Sequence, residues 1–427
     1  MYGILVLTSL ITLVALVAWG RVERHWVSLA ILALLIVTRC VTPYEALRFV
    51  DWDVLGLILG MSILTEHLKQ SGFVDLVASL IKKRISNTRT LAFVLSLCAG
   101  IVSIALENVS VVILFTPIAL TICKTVGVNP VPIVIGVALA SNLAGSATMI
   151  GDPPAIITAG YLNLAFGDFI WYRGKPSMFF LTLASMIASC MVLSMLTPRI
   201  RLNASKTSNV NVDRAYIAES SIALSIKITL LSLRHYLGIS LTFSAIVALS
   251  FISIARLLHR DFESIKKAFV NGFDWKTIAF LIGVFVLSGA FAKHGLAQQT
   301  ANAMLSLVHR DLFMLTSLLV WFSVLVSAFI DNVPYITTML PVIKAIAQEL
   351  HVEPITIAWA VLLGTTLGGN LTFIGASANV VAVRKLEEEG YKITFVDFLK
   401  LSAPFNTVSV GLGWILYEVI WVLPSSF

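Results

Sequence analysis

Two short stretches place acids and amides among apolar residues: ENVS at 107–110 and DNVP at 331–334. Two longer ones, SNLAGSATMIGDPP at 141–154 and GGNLTFIGASAN at 368–379, interleave glycine, hydroxyl and amide residues inside apolar runs. The first half of the chain thus offers Glu107, Asn108, Ser110, Ser146, Thr148 and Asp152, and the second Asp331, Asn332, Thr337, Asn370, Thr372, Ser377 and Asn379. Neutral amide and hydroxyl oxygens, together with backbone carbonyls freed from helices, suit a hard cation such as sodium. Histidine and cysteine are absent from both groups.

The prolines add a second chemistry. Asp152 followed by Pro153 and Pro154 has the pattern of an N-cap with proline at the first helical position, so a new half helix starts there. Its positive end favours an anionic group. Proline also removes the hydrogen bond to the carbonyl four residues back, which predicts freed carbonyls at Met149, Ile150 and, through Pro334, Ile330.

Each acid has a plainer reading beside the functional one. Asp152 either caps the half helix or handles an ion or proton, and its counterpart in the second half is Ala376, so the break itself needs no acid. Glu107 and Asp331 either cap the helix that follows or act as functional carboxylates at membrane depth. Asn108 and Asn332 favour the ligand reading because both halves carry them in apolar surroundings. Asp51-Trp52 and Asp274-Trp275 lie at span entrances and read as caps and interfacial anchors. Glu66, His67, Lys69, Lys293 and His294 lie near span ends and read as snorkelling side chains.

The elements that must position these groups follow from composition. Of 427 residues, 58% are hydrophobic and 12% charged, with a mean hydropathy of +0.92. That excludes a soluble globular domain and predicts an all-α polytopic membrane protein. The net charge of +7 comes without long basic runs, which excludes nucleic acid as a partner and leaves the lipid bilayer and a small ion. Cys40, Cys98, Cys123 and Cys190 lack metal or disulfide spacing. Residues 3–19 read as a retained span rather than a signal peptide.

Apolar runs place spans near 3–19, 26–42, 53–69, 131–160 and 177–197, then near 219–234, 239–257, 275–293, 354–384 and 402–424. Between the third and fourth of each set lie 91–126 and 312–350, each interrupted centrally like a re-entrant hairpin. About ten transmembrane helices plus two hairpins are predicted, with 131–160 and 354–384 as broken helices. The sets are copies: DWDVLGLILG (51–60) pairs with DWKTIAFLIG (274–283), and 107–157 pairs without gaps with 331–381 at a shift of 224. Of these 51 aligned positions 14 are identical, against about a tenth expected between unrelated apolar segments, so the chain contains a duplication. The first repeat is 1–198, the polar stretch 199–218 is a cytoplasmic linker, and the second repeat is 219–427.

An odd number of crossings per repeat inverts the second copy. With the N-terminus outside, most basic residues fall inside, among them Arg21, Arg24, Lys69, Lys82, Lys83, Arg84, Lys124, Arg199, Lys206, Arg256 and Arg384, as cytoplasmic loops require. Asn203-Ala-Ser is then a sequon on the wrong side to be modified. Inverted repeats with paired interrupted segments point to a transporter site near the midplane.

At ENVSVVILFTP, SNLAGSATMIGDPP, DNVPYITTMLP and GGNLTFIGASANVV the chain resembles the ArsB/NhaD family of the ion transporter superfamily. That family includes arsenite permeases, sodium/proton antiporters and the melanosomal P protein, with more distant relatives that carry citrate and dicarboxylates. The resemblance implies a scaffold part and a transport part, homodimers, and elevator-like movement in the cytoplasmic membrane. It also implies that Asn108 with the 142–148 loop, including Asn142 and Gly145, forms one cation site and Asn332 with 369–375, including Gly369, the other. The sodium sets are then Asn108, Ser146 and Thr148, and Asn332, Asn370 and Thr372. ENVS departs from the DNVT of many relatives, and Ala155 stands where asparagine is common.

The leading expectation is a secondary transporter for a small anion or oxyanion, of arsenite or carboxylate type, coupled to sodium or protons. The alternative is a sodium/proton antiporter, with Asp152, Glu107 or Asp331 exchanging a proton for the cation. Hairpins opening to opposite sides argue against a channel. Asp152 and Asp331 occupy unmatched repeat positions, against an intramembrane aspartyl protease. No enzyme or cofactor motif is present, so primary pumping would need a separate ATPase subunit.

Overall fold

In the computed structural model, residues 2–19, 21–73, 76, 87–201 and 213–425 are described. Lys82, Lys83, Arg84, Asn203, Lys206 and the middle of the 199–218 stretch lie outside the described residues. The described chain is almost entirely helical, apart from a two-stranded ribbon of β1 (Trp171–Tyr172) and β2 (Lys175–Pro176).

The first half runs α1 (Tyr2–Trp19), α2 (Arg24–Val37), α3 (Pro43–Phe49), α4 (Trp52–Gln70), α5 (Thr88–Ser103), α6 (Asn108–Val126), α7 (Val131–Ala144), α8 (Pro153–Tyr161) and α9 (Met178–Leu196). The second runs α10 (Arg214–Ser232), α11 (Leu241–Leu258), α12 (Phe262–Gly272), α13 (Trp275–Lys293), α14 (Leu296–Leu307), α15 (Leu312–Ser327), α16 (Asn332–Leu350), α17 (Pro354–Gly368), α18 (Ser377–Glu388) and α19 (Phe395–Tyr417). Among them α9, α10, α11, the segment Phe262–Lys293 and the segment Phe395–Val422 are each long and apolar enough to cross a membrane. Shorter apolar helices are α1, α2, the first hairpin's α5 and α6, and α7 and α17, the first halves of the two broken helices.

The duplication is visible helix by helix. The hairpin tips span 104–107 and 328–331, and the breaks span 145–152 and 369–376, each pair equal in length. Helices α6 and α16 both end on a left-handed residue, Gly127 (φ 70°) and His351 (φ 54°), positions also 224 apart. Glycine takes that conformation without strain and histidine does not, so the fold imposes the cap.

Packing follows the same symmetry. α5 lies against α7 as α15 does against α17, and α2 against α13 as α11 does against α4. The cross-repeat contacts are exchanged too: α8 packs on α16, and α18 on α6. A Cβ on Gly289, late in α13, would meet Phe49 just before α4, whereas one on Gly272, just before α13, would meet Ile63 in the middle of α4. The equivalent helices α4 and α13 therefore run in opposite directions.

Small residues allow the closest helix approaches, as expected where lipid supplies no hydrophobic drive between helices. A Cβ on Gly283 would lie 2.1 Å from Ser28 Oγ, which donates to the Phe280 carbonyl at 2.7 Å. A Cβ on Gly368 would lie 2.4 Å from Val324 Cα.

Three helices escape the apolar-run criterion: α3, α12 and α14. They are short and amphipathic, so hydropathy alone misses them. α12 exposes Phe262, Phe269 and Val270 beside Glu263, Lys266 and Lys267, the composition of a helix lying in a membrane interface. α14 meets α15 at 117°, a bend rather than a continuation.

Candidate functional site

Both hairpin tips and both helix breaks meet around one cavity of about 70 Å³. Asn108, Asn142, Glu107, Asp152, Pro153 and Pro154 line it from the first half, and Asp331, Asn332, Gly375, Ala376 and Ser377 from the second. Arg24 and Thr277, near the N-terminal ends of α2 and α13, close one side. A smaller cavity of about 40 Å³ adjoins it and shares Glu107, Asp152, Pro153 and Thr277.

The helix breaks are built alike. Thr148 Oγ1 donates to the Ile104 carbonyl, and Thr372 Oγ1 to the Ala328 carbonyl, so each break is tied to the tip of its own hairpin. A Cβ on Gly151 would lie 2.6 Å from the Gly145 carbonyl, and one on Gly375 would lie 2.6 Å from the Ser327 carbonyl. Both threonines thus act as ties in this conformation, with their hydroxyl protons committed to backbone.

A second layer joins the two halves. Asn108 Nδ2 donates to Asn142 Oδ1 at 3.1 Å, and Asn142 Nδ2 donates to Asn370 Oδ1 at 3.0 Å. Asn370 Nδ2 returns to the Leu139 carbonyl at 2.8 Å, and Thr366 Oγ1 donates to Ser146 Oγ at 3.0 Å. Asn142 and Thr366 are repeat equivalents, as are Ser146 and Asn370, so the ends of α7 and α17 exchange bonds across the pseudo-twofold axis. Asn332 accepts from Ser327 Oγ and lies beside Gly369, whose added Cβ would fall 3.0 Å from its Oδ1.

The acids behave differently from one another. Asp331 caps α16 through Val333 N at 3.0 Å and also pairs with Arg24 at 3.1 Å. Glu107 precedes α6 but does not cap it; it accepts from Ser110 Oγ at 3.0 Å. Asp152 occupies the N-cap position of α8, yet its side chain makes no capping bond and Oδ2 has no partner among the described residues, although the residue is buried. The capping reading thus holds for Asp331 and fails for Glu107 and Asp152. At the span entrances, Asp51 and Asp274 do cap α4 and α13.

Asn379 is the second half's asymmetric feature. Its Nδ2 donates to the Gly369 carbonyl at 3.1 Å and reaches the Thr372 carbonyl at 3.4 Å, while its Oδ1 is buried and unpartnered among the described residues. The equivalent position is Ala155, fully buried. Thr337 lies away from the central cavity: its hydroxyl donates to the Val333 carbonyl at 2.7 Å, and it lines a separate cavity of about 770 Å³ between α3, α4, α13, α8 and α16.

Two sequence expectations need correction. Pro153 and Pro154 do not interrupt a helical ladder that would otherwise reach Met149 and Ile150, because 145–152 is already non-helical and the prolines take the first two positions of α8. Pro334 likewise lies in the first turn of α16, where no helical bond to Ile330 is available to lose. Sequence reasoning also missed Arg24, Thr277 and Phe280 as cavity residues. Arg24 read as a topology marker, and nothing in GRVERH distinguishes a cavity arginine from one in a loop.

With this geometry in hand, relatives can be compared. The Citrate transporter family model matches residues 14–364. The chain belongs to the citrate transporter family. An uncharacterised transporter of Mycobacterium tuberculosis is 30% identical over 98% of this chain and 99% of its own. The human P protein is 26% identical over 86% of this chain, which spans about half of that protein (53%). The fold is similar to that of the Alcanivorax borkumensis YdaH transporter, with a TM-score of 0.59 at 13% identity, covering 86% of this chain and 84% of that one. Membership in the citrate transporter family makes the chain a membrane-embedded secondary transporter rather than an enzyme.

Proposed function

We propose that the protein carries a small carboxylate-type anion or oxyanion, coupled to sodium or protons, through the central cavity, by displacement of the hairpins and broken helices relative to α2, α4, α11 and α13. The observation that carries this reading is the convergence of two half-helix N-termini, at Pro153 and Ser377, with two asparagine-bearing hairpin tips and one arginine on the same cavity. Helix N-termini and a guanidinium favour an anion; amide oxygens and the unpartnered Asp152 carboxylate oxygen favour a hard cation. Family membership supports a carboxylate such as citrate. Cys40, Cys98, Cys123 and Cys190 all lie outside the cavity, so an oxyanion such as arsenite would bind through oxygen.

At about 70 Å³ the cavity has room for a cation and a few waters but is tight for a tricarboxylate. A larger anion therefore requires a more open state. The separate cavity of about 770 Å³ at the opposite ends of α4 and α13 offers room for the moving part. On the topology with the N-terminus outside, the central cavity is nearer the cytoplasm and the larger one nearer the exterior.

A sodium/proton antiporter is the second reading, favoured by one observation: Glu107, Asp152 and Asp331 outnumber Arg24 in the cavity lining. Purified protein in liposomes separates the two. Citrate, dicarboxylates, arsenite and sodium are offered under separately imposed sodium and proton gradients. Citrate uptake driven by either gradient supports the first reading; sodium–proton exchange without carboxylate uptake supports the second, and transport indifferent to both gradients contradicts both.

A further inference from the structure

We propose that Arg24 is the anion-binding residue of the central cavity and that Asp331 guards it, so that an anion gains the guanidinium only after the coupling cation has taken the charge of Asp331. The inference rests on the carboxylate-transport reading above and adds to it the residue that recognises the anion and the order of binding.

The guanidinium is held in place from three sides. Nη1 donates to Asp331 Oδ2 at 3.1 Å, Nη2 to Thr277 Oγ1 at 3.2 Å, and Cζ lies 5.1 Å from the centre of the Phe280 ring. Phe280 is buried and Thr277 belongs to the first turn of α13, so the fork stays aimed at the cavity when Asp331 leaves. A planar fork fixed in this way suits two carboxylate oxygens, a geometry lysine does not reproduce.

Charge then sets the order. The groups facing Arg24 across the cavity are Glu107, Asp152 and Asp331, with Asp274 behind Thr277. With those acids ionised, an arriving anion meets net negative charge, and the one favourable fork is taken. A cation on Asp331, whether sodium or a proton, removes the competitor and one negative charge in the same event. Glu107, the repeat equivalent of Asp331, forms no ion pair among the described residues, so the exchange is confined to one tip.

The same pair has a mechanical consequence. Among the described residues, Arg24–Asp331 is the ion pair that joins the group of α1–α4 and α10–α13 to a hairpin tip. Loading the cation dissolves that direct tie between α2 and the tip.

The test uses full-length protein in liposomes, radiolabelled citrate, and wild type, Arg24→Gln, Arg24→Lys and Asp331→Asn, each checked for a monodisperse peak in detergent. Arg24→Gln is expected to raise the citrate KM at least about tenfold, the scale of a lost charge-assisted pair, with Arg24→Lys in between. Asp331→Asn is expected to abolish the dependence of the citrate KM on cation concentration, holding it near the wild-type value at saturating cation. A wild-type citrate KM in Arg24→Gln, or wild-type cation dependence in Asp331→Asn, overturns the proposal. Should Arg24→Gln fail to fold, Arg24→Lys and Asp331→Asn still decide it. Wild type that exchanges sodium for protons but carries neither a carboxylate nor an oxyanion overturns the functional reading itself and this inference with it.

Discussion

Asn142 Nδ2 donates to Asn370 Oδ1 at 3.0 Å although the two are not repeat equivalents: Asn142 matches Thr366, and Asn370 matches Ser146. The duplication has diverged so that the first broken helix offers an amide at the end of α7 and the second an amide in its break, and the two amides meet. Through Asn108 on one side and the Asn379 contact to Asn370 at 3.5 Å on the other, the two half sites form one hydrogen-bonded unit.

Removing that bridge is expected to disturb both halves at once. Asn142→Ala leaves Asn108 Nδ2 without its acceptor and Asn370 Oδ1 with only the long 3.5 Å contact from Asn379, a cost of about 1–3 kcal/mol. A double-mutant cycle with Asn370→Ala, read by thermal unfolding in detergent, is expected to give a coupling of about 0.5–3 kcal/mol. Simple additivity would mean that the two breaks fold independently.

Asp152 offers the opposite expectation. Its carboxylate makes no cap bond, so Asp152→Asn is expected to cost less than the ~0.5–2 kcal/mol of a lost N-cap while changing the response of transport to sodium or proton gradients. A variant destabilised like a lost cap, with unchanged gradient response, would assign the residue to architecture.

Gly368 tests the hairpin packing. Its added methyl would press on the Val324 backbone at 2.4 Å, so Gly368→Ala is expected to destabilise by about 1–3 kcal/mol through overpacking. Thermal unfolding checks this, and an unchanged midpoint would show that α15 and α17 separate without cost.

Asn379→Ala removes the bonds to the Gly369 and Thr372 carbonyls that Ala155 never makes in the other half. The second break is therefore expected to open more readily, seen as faster amide hydrogen exchange at 369–376 with 145–152 unchanged. Equal acceleration in both loops would point to global loosening.

The architecture was legible because inserting a polar tip or a break into an apolar helix is costly, and seeing it twice at one spacing leaves few alternatives. ENVS against DNVP and SNLAGSAT against TTLGGNLT located both tips and both breaks. The short helices α3, α12 and α14 were not legible, since amphipathic segments at an interface carry no run of apolar residues. Within the site, residue type named the right loops but not the pointing of side chains: Thr148 and Thr372 turned out to be tied to the tips, and Thr337 faces another cavity. Arg24 was hidden for a related reason. Its role depends on the tertiary approach of α2 to a tip some three hundred residues away, which no local pattern encodes.

On this reading both hairpin tips take part in one cation-dependent transport site. Sodium and proton titrations of citrate uptake in proteoliposomes, for wild type, Asn108→Ala and Asn332→Ala, test it most directly. Each variant is expected to need several-fold more cation for half-maximal uptake, on the order of one lost ligand at about 1 kcal/mol or more. Titrations unchanged from wild type in both variants would contradict the claim and leave the tips as structural elements alone.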